Sequence, residues 1–347
     1  MGKSGNPAMS AANRNFDLGN SRHEALAEVA GLYFVDGLDQ REIAGRIGLS
    51  RSTVSRMITE ARELGIVEIR VNRPLPVDDS LQQLAIKEFS LQNALILSTP
   101  GIHGPRLQRV GALAAQYLES TLQENTTIAI SWGTSLAATV DGLSGNRNAG
   151  NRVVQMIGAA GSRHPEVDGS ELARNMAAKL GGNHIALNAP LIVDDPALAQ
   201  ALLREESVAR VLDMAAAAQM AVIGLGGMRP EISSLLRSGF AKEEDLQEVR
   251  MAGGVGDAGG HILSVDGATI HTKLSERTVG LDESRLRAIP TVLAVATGIE
   301  KVEIIHAALR SGIVNAIATD DETMQAVLTL ARLRPVAANQ ESRTVRH

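Results

Sequence analysis

Residues 50–59, SRSTVSRMIT, place Ser50, Arg51, Ser52, Thr53, Ser55, Arg56 and Thr59 around an apolar set of Val54, Met57 and Ile58. Short hydroxyls bond phosphates or base edges at close range, and arginine is bidentate to guanine, so this selection on one helix face suits the major groove of duplex DNA. A second set of candidates is scattered: Trp132-Gly133-Thr134-Ser135, the small-residue turn opening at Gly158, Gly226-Gly227, Asp257 within GGVGDAGG, and Thr297, Gly298 and Lys301. Glycine N–H groups, hydroxyls and one lysine suit a phosphate, and one aspartate suits sugar hydroxyls. Taken singly these residues have plainer readings: helix caps, chain geometry, a surface lysine, and for Trp132 a packing role. The turn in ISWGTSLAATV leaves three roles open: phosphate cradle, activated nucleophile or helix cap. Neither Thr134 nor Ser135 has a neighbouring histidine or lysine in sequence, which disfavours the nucleophile. Cap and cradle can coexist, the hydroxyls capping the helix until an anion shares its N–H groups.

The elements that would present the arginines can be read on either side of them. Residues 24–34 carry Leu26, Val29, Ala30 and Tyr33 at helical spacing. Asp39 can cap a short helix containing Ile43, Ala44 and Ile47, and Ser50 can cap a second that runs to about Leu64. Only Gly48-Leu49-Ser50 separates the two, and so sharp a turn needs the small Ala44, a glycine free to take positive φ, and an apolar Val54. The alternation in GIVEIRVNRP predicts a strand beside these helices, a wing from which Arg70 and Arg73 reach phosphate. From Ser21 to Arg73 eight arginines face eight acids, so one such module binds DNA modestly and a pair on a symmetric operator is expected.

Beyond RPLPVDD, a stiff linker, residues 78–89 read as a helix with Leu81, Leu84, Ala85 and Phe89 on one face. Apolar runs then recur between helical patterns: NALILS, TTIAIS, RVVQMIG, HIALNAP, MAVIGLG, TVLAVATG and VNAIATD. Such a rhythm predicts an α/β domain with a mainly parallel sheet covered on both faces, and SVDGATIH predicts a hairpin at the edge or in a small subdomain. Ligands in such sheets bind at the carboxyl ends of strands, where the scattered candidates fall. The domain organisation expected is a disordered tail at 1–20, a DNA-binding module at 21–75, an effector and oligomerisation domain at 76–335, and a tail at 336–347.

Composition narrows the function further. The 347 residues are 44% hydrophobic and 21% charged with a net charge of -5, which excludes a generally basic coat and confines DNA contact to a small module. The chain has no cysteine, hence no disulfide or thiolate chemistry; its histidines lack paired spacing, so neither metal nor cofactor is expected. No stretch approaches the roughly 18 apolar residues of a membrane helix, and the polar start lacks a secretory signal, so a cytoplasmic protein is expected.

Taken in order, GLDQREIAGRIGLSRSTVSRMITEARELGIVEIRV, SWGTSL, APLIV, SGF, GGVGDAGG and LRAIPTVLAVATGIEKVEIIHAALRSGIVNAIATDDETM resemble the SorC/DeoR-type sugar-binding transcriptional regulators of bacteria over residues 22–332. The resemblance implies an N-terminal all-α winged helix-turn-helix joined to a Rossmann-like α/β effector domain related to sugar-phosphate isomerases and deaminases. It also implies a tetramer and a phosphorylated sugar or polyol effector. By position, the phosphate-holding turn falls on Gly133, Thr134 and Ser135, the acidic loop on Asp257 and the late lysine on Lys301. QMIGAAGS has no basic residue before Arg163, which favours a monophosphate or an unphosphorylated polyol over a bisphosphate. Two rivals stand beside this reading: an isomerase or deaminase with Asp257 as base and Lys301 as stabiliser, and a DNA-binding protein whose second domain only oligomerises. No carboxylate or histidine is visibly partnered with Asp257, and an enzyme has no evident use for residues 22–73.

Overall fold

The computed structural model describes residues 22–67, 75–100, 105–145, 150–159 and 165–335. They fall into two compact units on either side of the 73/74 junction. The first unit holds α1 (Arg22–Phe34), α2 (Gln40–Ile47) and α3 (Arg51–Glu63). Asp39 Oδ1 accepts from the backbone of Arg41 at 2.7 Å and of Glu42 at 2.9 Å, while Glu42 returns a carboxylate to the Asp39 N–H, a reciprocal cap that starts α2. Gly48 then takes φ 72°, which lets the chain reverse before Ser50 caps α3 through the Thr53 N–H. Leu26, Val29, Ile43, Val54, Met57 and Ile58 form the core between the three helices, and Arg22 Nε donates to Glu60 at 2.8 Å, joining α1 to α3. Ile66 and Val67 pack against this core. The rest of the expected wing, with Arg70 and Arg73, lies outside the described residues, as do both tails and Arg163.

The second unit runs α4 (Asp79–Phe89), β1 (Asn93–Leu97), α5 (Arg106–Thr121), β2 (Thr127–Ile130), α6 (Thr134–Gly142), β3 (Arg152–Gln155), α7 (Gly169–Lys179), β4 (Asn183–Ile185), α8 (Pro196–Arg204) and α9 (Glu206–Ala216). It continues with β5 (Met220–Gly227), α10 (Ser234–Arg237), α11 (Glu243–Met251), β6 (Gly254–Ala258), β7 (His261–Ser264), α12 (Lys273–Glu276), α13 (Glu283–Ala288), β8 (Thr291–Val295), α14 (Val302–Ser311), β9 (Ala316–Asp320) and α15 (Asp321–Leu333). Seven parallel strands lie in the order β1-β9-β8-β5-β2-β3-β4. Alternation along β5 shows why both faces are covered: Met220 and Val222 enter a core with α5, α6 and α7, and Ala221 and Ile223 enter another with α4, α9, α14 and α15.

Three details differ from the sequence expectation. GGVGDAGG is not a loop: residues 254–258 are β6, pairing antiparallel with the end of β5 and with β7. Its glycines hid the strand, because they supply no apolar alternation to read. HIALNAP gives only a three-residue edge strand, β4, whose outer side chains are exposed. Leu84 is exposed on α4, where Leu81 and Ala85 are the buried pair, so the apolar stripe is narrower than its spacing suggests.

The closest helix contact sets the position of α6. A Cβ on Gly111 of α5 would lie 2.5 Å from the Ala138 carbonyl carbon, and one on Gly142 would lie 2.7 Å from Ala112 Cα. Gly111→Ala therefore forces the pair apart, and thermal denaturation should show a loss of about 1–3 kcal/mol, the usual cost of overpacking. An unchanged midpoint would contradict this packing.

Candidate functional site

Strand order reverses between β2 and β5: β3 and β4 extend the sheet to one side of β2, while β5, β8 and β9 extend it to the other. A crevice lies at the carboxyl ends of both strands, the position at which open parallel sheets hold their ligands. Ser131 to Ser135 line it after β2, with Gly224 to Gly226 of β5, Ser234 of α10, Asp257 of β6, the Gly259-Gly260 turn and Lys301. Five separate stretches of sequence thus converge on one cleft.

The first contributor is the start of α6. Gly133 occupies the cap position at φ 119°, with no side-chain hydrogen bond to the helix, and its own N–H goes to the Val167 carbonyl at 3.0 Å. This corrects the expectation that Thr134 or Ser135 caps the helix. Both lie inside its first turn, where a side chain no longer reaches the N–H groups a cap must take. The helix start, free of acidic residues, keeps its N–H groups and dipole for an anion.

The second contributor is a pair of opposite charges. Asp257 stands opposite Gly226 in the β5–β6 ladder, and a Cβ on Gly226 would fall 2.2 Å from Asp257 Oδ1, so glycine leaves the space the carboxylate fills. The Gly260 N–H donates to its Oδ2 at 3.3 Å. Burial pushes the Asp257 carboxyl up to about 6, against the opposing pull of that N–H and of Lys301. Burial likewise lowers the Lys301 ammonium from its ordinary value, against the attraction of Glu300 and Asp257, and Arg237 adds a repulsion in the same downward direction. Lys301 is held at the entry to α14 by a bond from its N–H to Gly298 O at 3.0 Å. The Gly298 N–H goes to Thr323 Oγ1 at 2.9 Å, and Thr323 in turn bonds the fully buried Asp320 at 2.6 Å. A carboxylate far from the cleft in sequence order thus fixes the loop that delivers the lysine.

Four expected contacts, Gly158, Gly227, Thr297 and Gly298, are not brought to the cleft. Gly158 gives its N–H to Val279 O at 2.9 Å, and a Cβ there would lie 2.3 Å from Pro190 O, so this glycine serves close packing. Gly298 is absent from the lining and spends its N–H on Thr323; its contribution is the bend before Lys301. Trp132, read as a packing residue, packs edge-on against Phe240 at 5.7 Å and also lines the cleft. Residues the sequence did not single out are Ser131, Ser234 and Arg237, whose guanidinium donates to Ser234 Oγ at 3.2 Å. Only proximity in space marks Ser234 and Arg237, whereas Ser131 adjoins the quoted turn.

In the first unit, Ser50, Arg51, Ser52, Arg56 and Thr59 are exposed and Thr53 and Ser55 partly so, while Val54, Met57 and Ile58 are buried. The face divides as the spacing predicts. Ser50 Oγ, however, is engaged with the Thr53 N–H and with the hydroxyls of Ser52 and Thr53, both at 2.8 Å, and Thr59 donates to Ser55 O at 3.2 Å. That leaves Arg51 and Arg56 as the long donors of this surface. Among the described residues no group of three or more acidic or histidine side chains could hold a metal, and no helix is long and apolar enough to cross a membrane.

The raised carboxyl gives a test free of any ligand. Between an ordinary 3.8 and about 6, folded chain keeps the Asp257 proton that unfolded chain has lost, so stability falls as pH rises through that window. Asp257→Asn removes this dependence. The variant's melting temperature should therefore gain on wild type at about pH 7.5 relative to about pH 4.5. An equal difference at both values would contradict burial of this charge.

A family model described as "Putative sugar-binding domain" matches residues 76–329, and one for a winged helix-turn-helix DNA-binding domain matches residues 36–68. The chain is 32% identical over 327 residues to the transcriptional regulator LsrR of Klebsiella pneumoniae subsp. pneumoniae, an alignment covering 92% of this chain and 97% of that one. It is 30% identical over 314 residues to LsrR of Escherichia coli K12, covering 89% and 96%. The crystal structure of the full-length sorbitol operon regulator SorC from Klebsiella pneumoniae superposes with a TM-score of 0.67 at 23% identity over 88% of this chain and 98% of that one, a likeness of fold. With its helix-turn-helix and its α/β effector domain, the chain belongs to the SorC/DeoR-type sugar-binding transcriptional regulators.

Proposed function

We propose that a monophosphorylated sugar or polyol binds the cleft between β2, β5, β6 and α14 and thereby changes the affinity of the helix-turn-helix for operator DNA. The observation that carries this reading is the convergence of the uncapped α6 start, Lys301 and Asp257 on one crevice. The phosphate sits on the α6 N–H groups, the Thr134 and Ser135 hydroxyls and Lys301; the sugar hydroxyls donate to Asp257. The residues lining the cleft include one carboxylate and no histidine, so the titrating groups there are Asp257 and Lys301, the pair that this reading assigns to holding the ligand. The chain acts by binding, without cofactor or metal. Arg51 and Arg56, with Ser52, Thr53 and Ser55 beside them, enter the major groove, and Arg70 and Arg73 contact phosphate. Because the arginines of residues 21–73 are matched by acids, two units on a symmetric operator supply the affinity one lacks. A homo-oligomer in the cytoplasm, a tetramer by family resemblance, is the assembly this requires.

The test is a gel shift of full-length protein on DNA flanking its own gene, with and without ribose 5-phosphate, fructose 6-phosphate, sorbitol 6-phosphate and the unphosphorylated polyols. At least one compound should alter binding. Arg51→Ala should weaken DNA binding by about 1–3 kcal/mol while keeping ligand-induced thermal stabilisation, and Lys301→Ala should do the reverse. Loss of both activities in a folded Arg51→Ala protein would contradict the division of labour. Hydrolysis or isomerisation of any compound in the panel would favour an enzyme.

A further inference from the structure

The same helix that presents Lys301 ends against the first helix of the effector unit. Helix α14 spans ten residues, about 15 Å at the usual rise, and Ile304 to Leu309 are all buried. Lys301 is its N-cap, so the ammonium in the cleft is fixed to the helix axis. The other charged group is tied to the same helix by packing: a Cβ on Gly256, next to Asp257, would lie 2.5 Å from Ile304 Cγ1. A ligand joining Asp257 to Lys301 therefore acts across the contact of α14 with β6.

At the far end, Arg310 lies over the Phe89 ring of α4 at 5.7 Å and reaches Glu88 Oε1 at 3.4 Å. Its side chain is only 13% exposed, so little water screens either contact. One turn earlier, His306 packs edge-on against the same ring at 6.0 Å, its Nδ1 donating to Val265 O at 2.8 Å. Phe89 is the last residue of α4, the first helix after the 73/74 division from the DNA-binding unit. One buried helix thus has a cleft residue at its start and, at its end, a three-sided grip on the element through which the DNA-binding unit is attached.

Resting on the effector reading above, we infer that α14 is the coupling element of the protein, and that Phe89 and Arg310 are the residues through which cleft occupancy is passed to α4. Neither lines the cleft and neither belongs to the DNA-binding unit, so their removal separates coupling from binding. A ligand can move DNA affinity only by favouring one arrangement of a two-state element, and coupling of this kind typically amounts to about 5–150-fold.

Three quantities decide the matter on full-length Phe89→Leu and Arg310→Gln proteins: affinity for the upstream DNA alone, affinity for the panel compound that wild type binds, and the ratio of DNA affinities with and without that compound. The two single affinities should stay within about threefold of wild type, while the ratio falls to about twofold or less. Leucine keeps the apolar volume at position 89 and loses the ring, and Arg310→Gln leaves the core intact, so at least one variant remains folded. A purely structural role would lower the melting temperature and leave the ratio untouched; that result overturns the inference. A wild-type protein that binds DNA but no panel compound overturns the effector reading and this inference together, whereas folded variants that respond fully overturn the inference alone.

Discussion

The constraint on which the effector unit depends is that a carboxylate and an ammonium are both half-buried at the carboxyl edge of a parallel sheet. Burial raises Asp257 and lowers Lys301, and what opposes it is the Gly260 N–H and then Lys301 for the carboxylate, and Glu300 and then Asp257 for the ammonium. Much of the surrounding backbone serves this arrangement. Strand β5 pairs with β2 and β8 over its first half and turns to β6 over its second, which is what brings Asp257 across from Gly226. The Asp320 and Thr323 bonds hold the loop that delivers Lys301. A pair held in this state gains from a ligand that donates hydroxyls to the acid and offers an anion to the base, and it gains little from a wholly apolar one.

The DNA-binding unit meets a different constraint, that of building a sharp turn from few residues. The reciprocal Asp39–Glu42 cap, the left-handed Gly48 and the Ser50 cap all spend polar groups on local geometry. Ser50 and Thr59 illustrate the result: their hydroxyls serve the helix, and the contact surface narrows to the arginines and the remaining short hydroxyls. With charge balanced across residues 21–73, specificity by shape and bidentate contacts weighs more than bulk electrostatics.

The helix-turn-helix was legible residue by residue, because caps, a turn glycine and a helical apolar stripe are all local signals. The parallel strands were legible for the same reason, as apolar runs with no polar face. Strand β6 was not, since five of the eight residues in GGVGDAGG are glycines and carry no alternation. Asp257 and Lys301 could be named from their glycine-rich settings, but the roles of Gly158 and Gly298 could not: whether a glycine N–H faces a ligand or a neighbouring carbonyl is decided by Val279 and Thr323, both more than twenty residues away. The capping role assigned to Thr134 and Ser135 failed by a single position, because Gly133 rather than a hydroxyl residue stands at the cap. Ser234 and its partner Arg237 come to the site through tertiary packing alone.

The claim at the centre of this account is that the small-molecule site is the crevice beside Trp132. That residue is the chain's only tryptophan and lines the crevice. The direct measurement is therefore its fluorescence during titration of the full-length protein with sugar and polyol monophosphates. The account predicts a saturable change in emission for the compound that alters DNA binding, and its loss in Lys301→Ala. A compound that shifts DNA affinity while Trp132 emission stays constant, in wild type and variant alike, would contradict it.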